Sequence, residues 1–321
     1  MATSGTYTYS RTLNQTISDA LDLIQAVGDG ETLSGDHVTR GTTALNGLLK
    51  QWQTQGIHLW TYTEGSLFLQ VGQSEYDMSA TATHTANTYY ETTSTAATIA
   101  TATTLLVTNS DNIVVGDKIG IIQNDNDLFW TTVSGKAGLT LTLTAGITLA
   151  TVSGAVVYSY KIATATVPEL IPISRMLDVR RKEGSDYEIP IVFQSRKDYF
   201  NLPNKSQTGT PIQAYYARQD VAGEASGIMY LWNAPSSSVP VINFTYERKI
   251  QIMVNANDTL DIPDYATDAV TYGLAKRLIP RFGCSAELTA LIMAEAQKYE
   301  ESMLAYDSAL YPITIKMQRY G

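Results

Sequence analysis

Apolar residues recur at intervals of three and four positions near the amino end of the chain, which is the pattern of one helical face. The pattern covers residues 12–27, where Gly28 interrupts it, and it returns over residues 38–52. Ser34 or Asp36 can cap the second helix, because a side-chain oxygen there accepts a hydrogen bond from a free amide of the first turn. These features predict a helical hairpin.

The same periodicity returns near the carboxy end. Asp261 precedes Pro263, an order typical of a helix start, and the apolar stripe that follows ends before Gly283. Ser285 can cap a second, longer helix, whose stripe continues to Tyr306. Periodicity of this kind indicates core and subunit contacts rather than a cofactor site. Helices from the two ends of the chain are therefore expected to pack as one bundle.

Between the helical segments, the sequence predicts strands. Short strands are predicted at residues 57–62 and 67–71, and residues 228–232 and 239–246 are expected to pair as a hairpin. Residues 79–108 are rich in Thr, Ala and Ser, but their β-forming Tyr, Ile, Leu and Val favour an ordered segment over a linker. Five further runs, separated by turn residues, predict a compact β domain. They are residues 113–115, 118–123, 128–133, 139–143 and 155–162.

These patterns predict an α+β fold, in which a helical bundle is assembled from the N- and C-terminal helices and antiparallel β domains are inserted between them. One inserted domain is expected to be a small barrel or sandwich. The predicted segments are residues 1–78 for the helical hairpin and short strands, 79–165 for the inserted β domain, 166–260 for a second β region, 261–309 for the C-terminal helices that complete the bundle, and 310–321 for an extended C-terminal arm.

Composition and charge argue against several classes of partner. The chain has 321 residues, a hydrophobic fraction of 44% and a formal net charge of -9. Broad adhesion to DNA or to an anionic membrane needs a basic face, which this balance disfavours. The apolar runs are much shorter than the roughly 20 residues of a membrane span, and residues 1–16 lack the apolar stretch of a signal peptide. We therefore expect a soluble protein made in the cytosol, without a membrane anchor.

The sequence offers no recognisable catalytic or cofactor motif. His37, His58 and His84 are far apart, and the single cysteine, Cys284, cannot form an internal disulfide. A phosphate-binding glycine loop, a Gly-x-Ser-x-Gly elbow and a dinucleotide fingerprint are all missing. Residues 125–127 could begin a calcium loop, but the required later glycine and glutamate are replaced, so a turn is the better interpretation. We expect no enzyme activity, no metal site and no cofactor.

The densest basic cluster follows the Thr-rich region. It contains Arg175, Arg180, Arg181 and Lys182, with acidic residues between and around them. The favoured interpretation is an ion-paired, solvated sheet face. The alternative is contact with phosphate or with an acidic partner surface.

Three blocks of sequence, in order, cover most of the chain outside residues 79–165. The first is Leu-Asn-Gly-Leu-Leu-Lys-Gln-Trp at 45–52 with Gly-Ile-His-Leu-Trp at 56–60. The second comprises Arg180, Arg181, Ser-Arg-Lys-Asp-Tyr at 195–199, Leu-Pro at 202–203, Lys205, Gly209, Pro211, Tyr-Leu-Trp at 230–232 and Pro235. The third is Ile-Pro-Asp-Tyr at 262–265 and Tyr-Gly-Leu-Ala at 272–275, followed by the last helix. In these blocks the chain resembles the head-to-tail adaptor proteins of short-tailed bacteriophages, also called connector, head-completion or tail tubular protein A-like proteins.

The resemblance implies a structural role in the virion, at the head-to-tail interface, after assembly in the host cytoplasm. Such adaptors form a homo-oligomeric ring, usually of twelve copies, between the portal protein and the tail nozzle or tail tube protein. The ring seals packaged DNA, and duplex DNA passes through its channel during ejection without sequence-specific binding. The inserted segment 79–165 departs from the smallest adaptors, which lack such a domain.

Two sets of residues are candidates for the contacts that this role implies. Residues 311–320 alternate like a strand that has no sequence neighbour, and such a strand can pair with the sheet edge of another chain. The candidates for portal binding are Ile313, Ile315, Met317, Arg319 and Tyr320. The candidates for a subunit or nozzle interface are Arg175, Arg180, Arg181, Lys182, Tyr299, Met303 and Tyr306.

Two other classes of function stay open at the level of sequence. A receptor-binding or decorating virion protein would use the Thr-rich β module to contact host glycans. A polysaccharide lyase or hydrolase would need clustered carboxylates in a cleft.

Overall fold

The structure is a computed structural model that describes residues 9–28, 31–55, 59–79, 82–162, 169–184, 187–218 and 227–307. The chain divides into two compact units. One, here called the helical unit, is formed by Met1–Thr61 together with Ile250–Gly321, and the other, here called the β unit, is Tyr62–Lys249. Helices and mainly antiparallel sheets are both present, so the predicted α+β class is confirmed.

The helices lie mainly in the helical unit. The α-helices of the described residues are α1 (Leu13–Leu23), α2 (Gly35–Gln55), α3 (Arg196–Phe200), α4 (Thr267–Phe282) and α5 (Ala286–Asp307), and short 3-10 helices span Leu59–Thr61 and Asp264–Ala266. Only α3 belongs to the β unit. Within these described ranges, none of the helices has both the length and the apolar character that a membrane span requires.

Local sequence explains where these helices begin and how closely they pack. Thr12 and Gln15 form a reciprocal capping box at the start of α1, with N···O distances of 3.3 and 3.0 Å. Gly41 lets α2 approach α1, because a Cβ at this position would lie 2.7 Å from the Ile17 side chain. Ser285 accepts a hydrogen bond from the Leu288 amide and so caps α5 as predicted.

One core joins the two ends of the chain in the helical unit. Helix α4 packs against α1, α2 and α5, and the largest fully buried side chains include Leu45, Leu49 and Trp52 of α2. Asn46 strengthens the connection, because its amide donates to the Met253 carbonyl and accepts from the Met253 amide, both at 2.9 Å. A fold of this kind requires both chain ends.

The β unit contains short and medium strands in four sheets. The strands are β1 (Tyr62–Phe68), β2 (Glu75–Asp77), β3 (Thr85–Ala86), β4 (Tyr90–Thr93), β5 (Thr104–Leu106), β6 (Lys118–Ile122), β7 (Leu128–Ala137), β8 (Thr140–Leu143), β9 (Val156–Tyr160), β10 (Ile173–Glu183), β11 (Tyr187–Pro190), β12 (Val192–Phe193), β13 (Thr208–Gly209), β14 (Gln213–Arg218), β15 (Gly227–Trp232), β16 (Ala234–Pro235) and β17 (Val241–Arg248).

The sheets combine strands that are distant in sequence. Their orders are β11-β10-β17-β1-β3, β12-β14-β15-β2, β13-β16 and β4-β9-β6-β7-β8-β5. Pairing is antiparallel except between β12 and β14 and between β13 and β16. The first two sheets share a buried cluster that includes Tyr76, Met229 and Tyr246, whereas the six-stranded sheet has its own core around Ile119, Ile121 and Val157.

An aromatic cluster links the six-stranded sheet to the rest of the β unit. The buried Phe68 ring lies between 5.1 and 5.6 Å, centroid to centroid, from the rings of Tyr89, Trp130, Tyr158 and Tyr160. The Tyr158 hydroxyl also donates to the Val239 carbonyl at 2.9 Å. Aromatic burial and these directional contacts fix how the six-stranded sheet is attached.

The predicted hairpin of residues 228–232 and 239–246 is wrong. Strand β15 pairs with β14 and β2, whereas β17 pairs with β1 and β10 in another sheet. Both strands alternate in the way that a hairpin requires, but alternation specifies a buried face and not a partner. The connection between them crosses from one sheet to the other.

Three predicted element boundaries also differ from the structure. Leu59–Thr61 form a 3-10 turn, so the first strand begins at Tyr62. Residues 113–115 form no strand, because Val115 and Gly116 form a turn between Val114 and Asp117, whose carboxylate accepts from the Val114 amide. Helix α4 begins at Thr267, six residues after Asp261, since Asp264–Ala266 form a 3-10 turn first.

The predicted segments are distributed over both units. Segment 79–165 and most of segment 166–260 lie in the β unit, while residues 250–260 belong to the helical unit. The predicted arm at 310–321 lies outside the described residues.

Candidate functional site

Strand β10 carries the basic cluster and lies between β11 and β17 in the five-stranded sheet. Arg180 contacts three carboxylates, with N···O distances of 3.2 Å to Glu64, 3.1 Å to Asp178 and 3.4 Å to Glu188. Burial acts to lower the pKa of Arg180, but the hydrogen bond with Glu64 and the nearby carboxylates raise it overall. This guanidinium is therefore neutralised within its own chain.

Arg181 and Lys182 are also engaged in the β unit. The Arg181 guanidinium is buried, and it donates to Glu183 at 2.7 Å and to the Pro211 carbonyl at 2.6 Å. Lys182 lies 2.9 Å from Glu91 and 3.1 Å from the Tyr89 hydroxyl. Within the part of the chain that the structure describes, Arg175 is the exposed member of the cluster without an ion pair. These contacts are those of an ion-paired sheet face.

Helix α5 holds the other candidate interface residues. Tyr306 is 71% exposed and its ring lies 4.5 Å from that of Tyr265, whereas Tyr299 is half-buried with its ring 5.0 Å from Tyr272. Met303 is only 2% exposed and packs in the helical core, so its side chain is not available at the surface of the chain. The predicted apolar stripe did not distinguish the buried Met303 from the exposed Tyr306. Periodicity identifies a helical face, but not which residues of that face are exposed.

Three exposed apolar residues lie on different sides of α5, since Leu291 and Leu304 are separated by about 140° around the helix axis. They are Leu291, Met293 and Leu304, and of them only Leu291 belonged to the predicted stripe. Single exposed apolar side chains are common on protein surfaces, and those of a helix are available for contacts with other proteins. The sequence indicated these exposed residues through the high apolar content on several sides of α5, because a helix with a single buried face does not require it.

The candidate portal-binding residues Ile313, Ile315, Met317, Arg319 and Tyr320 lie outside the described residues. Their contacts stay a prediction.

A groove of about 430 Å³ runs beside the Lys182–Glu91 ion pair. Hydroxyl, amide and aromatic groups line it together with the two charges. The lining residues are Tyr90, Glu91, Thr92, Thr93, Thr108, Asn109 and Lys182. The sequence could not predict this groove, because strand pairing brings together residues from three separate segments. Its one local signal was Glu91, the single charge within residues 79–108.

A second groove, of about 440 Å³, lies beside α3 and is lined by Arg196, Lys197, Phe200 and Asn201. Ser195 caps this short helix by accepting from the Asp198 amide at 3.3 Å. Tyr199 packs inward, and burial is the main reason that its pKa rises to about 12. Phe200 points outward and is 47% exposed. The residues before and after an inward-facing tyrosine thus line a surface groove.

Across the described ranges, no three His, Cys, Asp or Glu side chains are grouped so as to hold a metal ion. His84 lies near the rings of Tyr76 and Trp130, and burial, followed by the charge of Lys118, lowers its pKa. Such a histidine is a neutral packing residue.

No protein-family model matches the chain, and no curated protein matches it. Part of the chain is similar to a solved structure, the Gp54 tailspike of Acinetobacter baumannii bacteriophage AP22 in complex with A. baumannii capsular saccharide. The identity is 13%, the match covers 23% of this chain and 15% of the tailspike chain, and the TM-score is 0.21. The chain thus matches less than a sixth of that tailspike's length, and a TM-score this low does not support a shared overall fold.

Proposed function

We propose that this protein is a structural virion protein, a head-to-tail adaptor that forms a ring between the portal and the tail nozzle. The observation that carries the proposal is the order of the chain: helices from both ends share one core, and a continuous β unit is inserted between them. The three sequence blocks that resemble adaptors lie in the same order. In this role the ring seals packaged DNA and provides the ejection channel.

The geometry of the insertion supports a scaffold. Strand β1 begins the β unit and β17 ends it, and the two strands pair antiparallel with Tyr62 opposite Glu247. The β unit therefore starts and finishes at neighbouring points, as an insertion into a helical layer must. Such an insertion leaves the shared helical core intact.

The surface of α5 supplies groups for subunit contacts. Leu291, Met293 and Leu304 are exposed apolar residues, and Tyr306 adds an exposed aromatic ring. A closed ring uses heterologous contacts, in which such a surface meets a different surface of the next copy. The net charge of -9 suits a channel that releases duplex DNA, because strong phosphate binding would hinder sliding.

Electron microscopy of the protein mixed with purified portal rings tests the proposal directly. We expect an added ring at one face of the portal, and we expect Leu291→Glu combined with Leu304→Glu to abolish it. Val254→Glu is the matched control, because Val254 is an exposed apolar residue of the helical unit outside α5. Wild-type protein that leaves the portal rings bare would refute the adaptor role.

A second candidate function is binding of host glycans by the β module. It is favoured by the groove around Tyr90, Thr93 and Asn109, where an aromatic ring adjoins hydroxyl and amide groups suited to sugars. Calorimetry with host surface polysaccharide is the test. Binding that Asn109→Ala weakens while Asn201→Ala leaves it intact would support this candidate, and an absence of heat would dismiss it.

A further inference from the structure

Two pairs of tyrosines connect the helices of the carboxy end. Helices α4 and α5 are joined by the short connection 283–285 and pack against each other as an antiparallel hairpin. Seven residues separate Tyr265 from Tyr272 on one arm of the hairpin, and seven separate Tyr299 from Tyr306 on the other. Because seven residues make about two helical turns, the two tyrosines of an arm lie on nearly the same side. The hairpin therefore brings them together as an inner pair, Tyr272 with Tyr299, and an outer pair, Tyr265 with Tyr306.

The outer pair is the closer of the two and also the more exposed. Its ring centroids are 4.5 Å apart, against 5.0 Å for the inner pair. Tyr306 is 71% exposed and Tyr265 is 40% exposed, whereas both rings of the inner pair are half-buried. The tyrosine pairs of the β unit have centroids at least 5.4 Å apart. Among the described residues, the closest contact between two tyrosine rings is thus open to solvent.

Local structure holds both residues of the outer pair in place. Tyr265 lies in the 3-10 turn Asp264–Ala266, and its amide donates to the Asp264 carboxylate at 2.9 Å. The Thr267 hydroxyl donates to the Asp264 carbonyl at 2.8 Å and so ties this turn to the first residue of α4. Tyr306 lies in the last turn of α5, which the buried Met303 anchors in the helical core. The two rings are therefore kept in contact by elements on either side of them.

Two phenol rings in contact can be joined by oxidation. A one-electron oxidant removes an electron and the hydroxyl proton from each phenol, and each phenoxyl radical carries spin on the carbons ortho to its oxygen. Coupling forms a bond between one ortho carbon of each ring, and the hydrogens of those two carbons then move to the oxygens, which restores both phenols. Hydrogen peroxide, acting through a haem peroxidase, takes up the two electrons and two protons and becomes two waters. Rings that already touch couple faster than rings that must meet by diffusion.

We infer that Tyr265 and Tyr306 are a site of dityrosine formation within one chain, with a peroxide-driven one-electron oxidant as the co-reactant. The new bond joins the start of α4 to the end of α5 and closes a loop that contains both helices. A crosslink of this kind restricts the unfolded chain and so favours the folded hairpin. This inference does not depend on the adaptor role.

Oxidation of the dilute protein with hydrogen peroxide and a haem peroxidase is the direct test. We expect dityrosine fluorescence in chains that migrate as monomers under denaturing conditions, because the bond lies within one chain. Its rate of appearance should not depend on protein concentration. Mass spectrometry should show the loss of two hydrogen atoms from the intact chain, and a proteolytic peptide that joins Tyr265 to Tyr306.

Conservative variants identify the residues that couple. Tyr265→Phe and Tyr306→Phe keep a ring at each position but cannot form the phenoxyl radical there, so each should lower the yield of dityrosine within the chain about tenfold or more. Tyr187→Phe is the matched control, because Tyr187 is 74% exposed and belongs to the β unit. This control should leave the yield unchanged. Circular dichroism of the three variants before oxidation confirms that each has folded.

A second readout follows the loop that the bond closes. After oxidation, the helical unit of the wild type should unfold at a higher denaturant concentration than that of Tyr306→Phe treated in the same way. Equal midpoints would refute the stabilising effect of the bond.

Four outcomes would overturn the inference itself. They are dityrosine within the chain that persists in Tyr306→Phe, dityrosine that maps to Tyr272 and Tyr299, dityrosine found only between chains, and an equal loss of yield in the Tyr187→Phe control.

Discussion

The helical unit and the β unit bury their cores by different routes. The helical unit has one core, and α4 of the carboxy end fills it together with α1 and α2 of the amino end. The β unit is formed by one continuous stretch, Tyr62–Lys249, with separate clusters inside and between its sheets. Closing the helical core requires contacts across most of the chain, which is entropically costly and slow. The helical unit can therefore form its core only when both ends of the chain are present, whereas the β unit is complete within one stretch.

Truncation should give the largest effect. A chain that ends at Lys249 lacks α4 and α5, so the apolar faces of α1 and α2 have no core to join. We expect circular dichroism to lose most helical signal while cooperative unfolding of the β unit persists. The fragment of residues 62–249 serves as the control and should unfold with the same midpoint. Retention of the helical signal would contradict the dependence of the helical unit on both ends.

Phe68→Ala should destabilise the β unit alone. Phe68 is fully buried and touches four aromatic rings, so its removal should cost about 3–5 kcal/mol. Chemical denaturation followed by tyrosine and tryptophan fluorescence measures this loss. Ile99→Ala, at an exposed position of the same unit, should change stability by less than about 0.5 kcal/mol. Similar losses in both variants would show that the aromatic cluster contributes no more than the surface.

Leu49→Ala is the corresponding change in the helical unit. Leu49 is fully buried, and the expected cost is about 2–5 kcal/mol. Far-ultraviolet circular dichroism in denaturant should show an earlier helical transition. The exposed Leu304→Ala should leave that transition in place. An equal shift of the β-unit transition would argue against separate cores.

Asn46→Ala tests a single contact between the two chain ends of the helical unit. The change leaves the Met253 amide and carbonyl without their partner, at an expected cost of about 1–3 kcal/mol. Thr43→Ala is a suitable control, because this exposed hydroxyl bonds only within α2. Thermal unfolding of the helical unit is the measurement, and equal effects of the two changes would refute a special role for Asn46.

The smallest expected effect is a pH dependence confined to the β unit. Burial, followed by Lys118, lowers the pKa of His84 below its ordinary 6.5. The unfolded chain therefore takes up a proton that the folded chain resists as pH falls below 6.5, and stability declines in that range by up to about 1.4 kcal/mol per pH unit. His84→Gln should reduce this slope in denaturation at about pH 7.5 and about pH 5.5. An unchanged slope would exclude His84 as its source.

Sequence periodicity predicted α1, α2, α4 and α5 well, because each of them buries a face against the same core, whereas the short α3 of the β unit was not predicted. The stripe from Val38 to Trp52 became α2, and Gly283 ends α4 with a positive φ of 81°. Most strands between residues 118 and 160 were also predicted, because each of them buries a face in the core of the six-stranded sheet. The partner of a strand was not predictable, as β15 and β17 show, because alternation is the same whichever strand lies beside it.

The candidate surfaces were harder to predict than the fold. The basic residues of β10 were visible in the sequence, but their partners Glu64 and Glu91 lie about a hundred positions earlier. Strand pairing determines which of these cations are neutralised and which, like Arg175, have no ion pair among the described residues. Tyr187 of β11 and Val192 of β12 have an ordinary β composition around them, and they are exposed because their strands end two sheets.

The pairing of Tyr62 with Glu247 also has a consequence for how this kind of chain can change. Paired residues of antiparallel strands lie only about 5 Å apart, so the first and last strands of the β unit hold its two ends close together. Such a segment is a cassette in the genetic sense: exchange can replace it with another module or a short turn while the helical unit keeps its chain topology. Diversification of the cassette and preservation of the helices then become separate evolutionary problems.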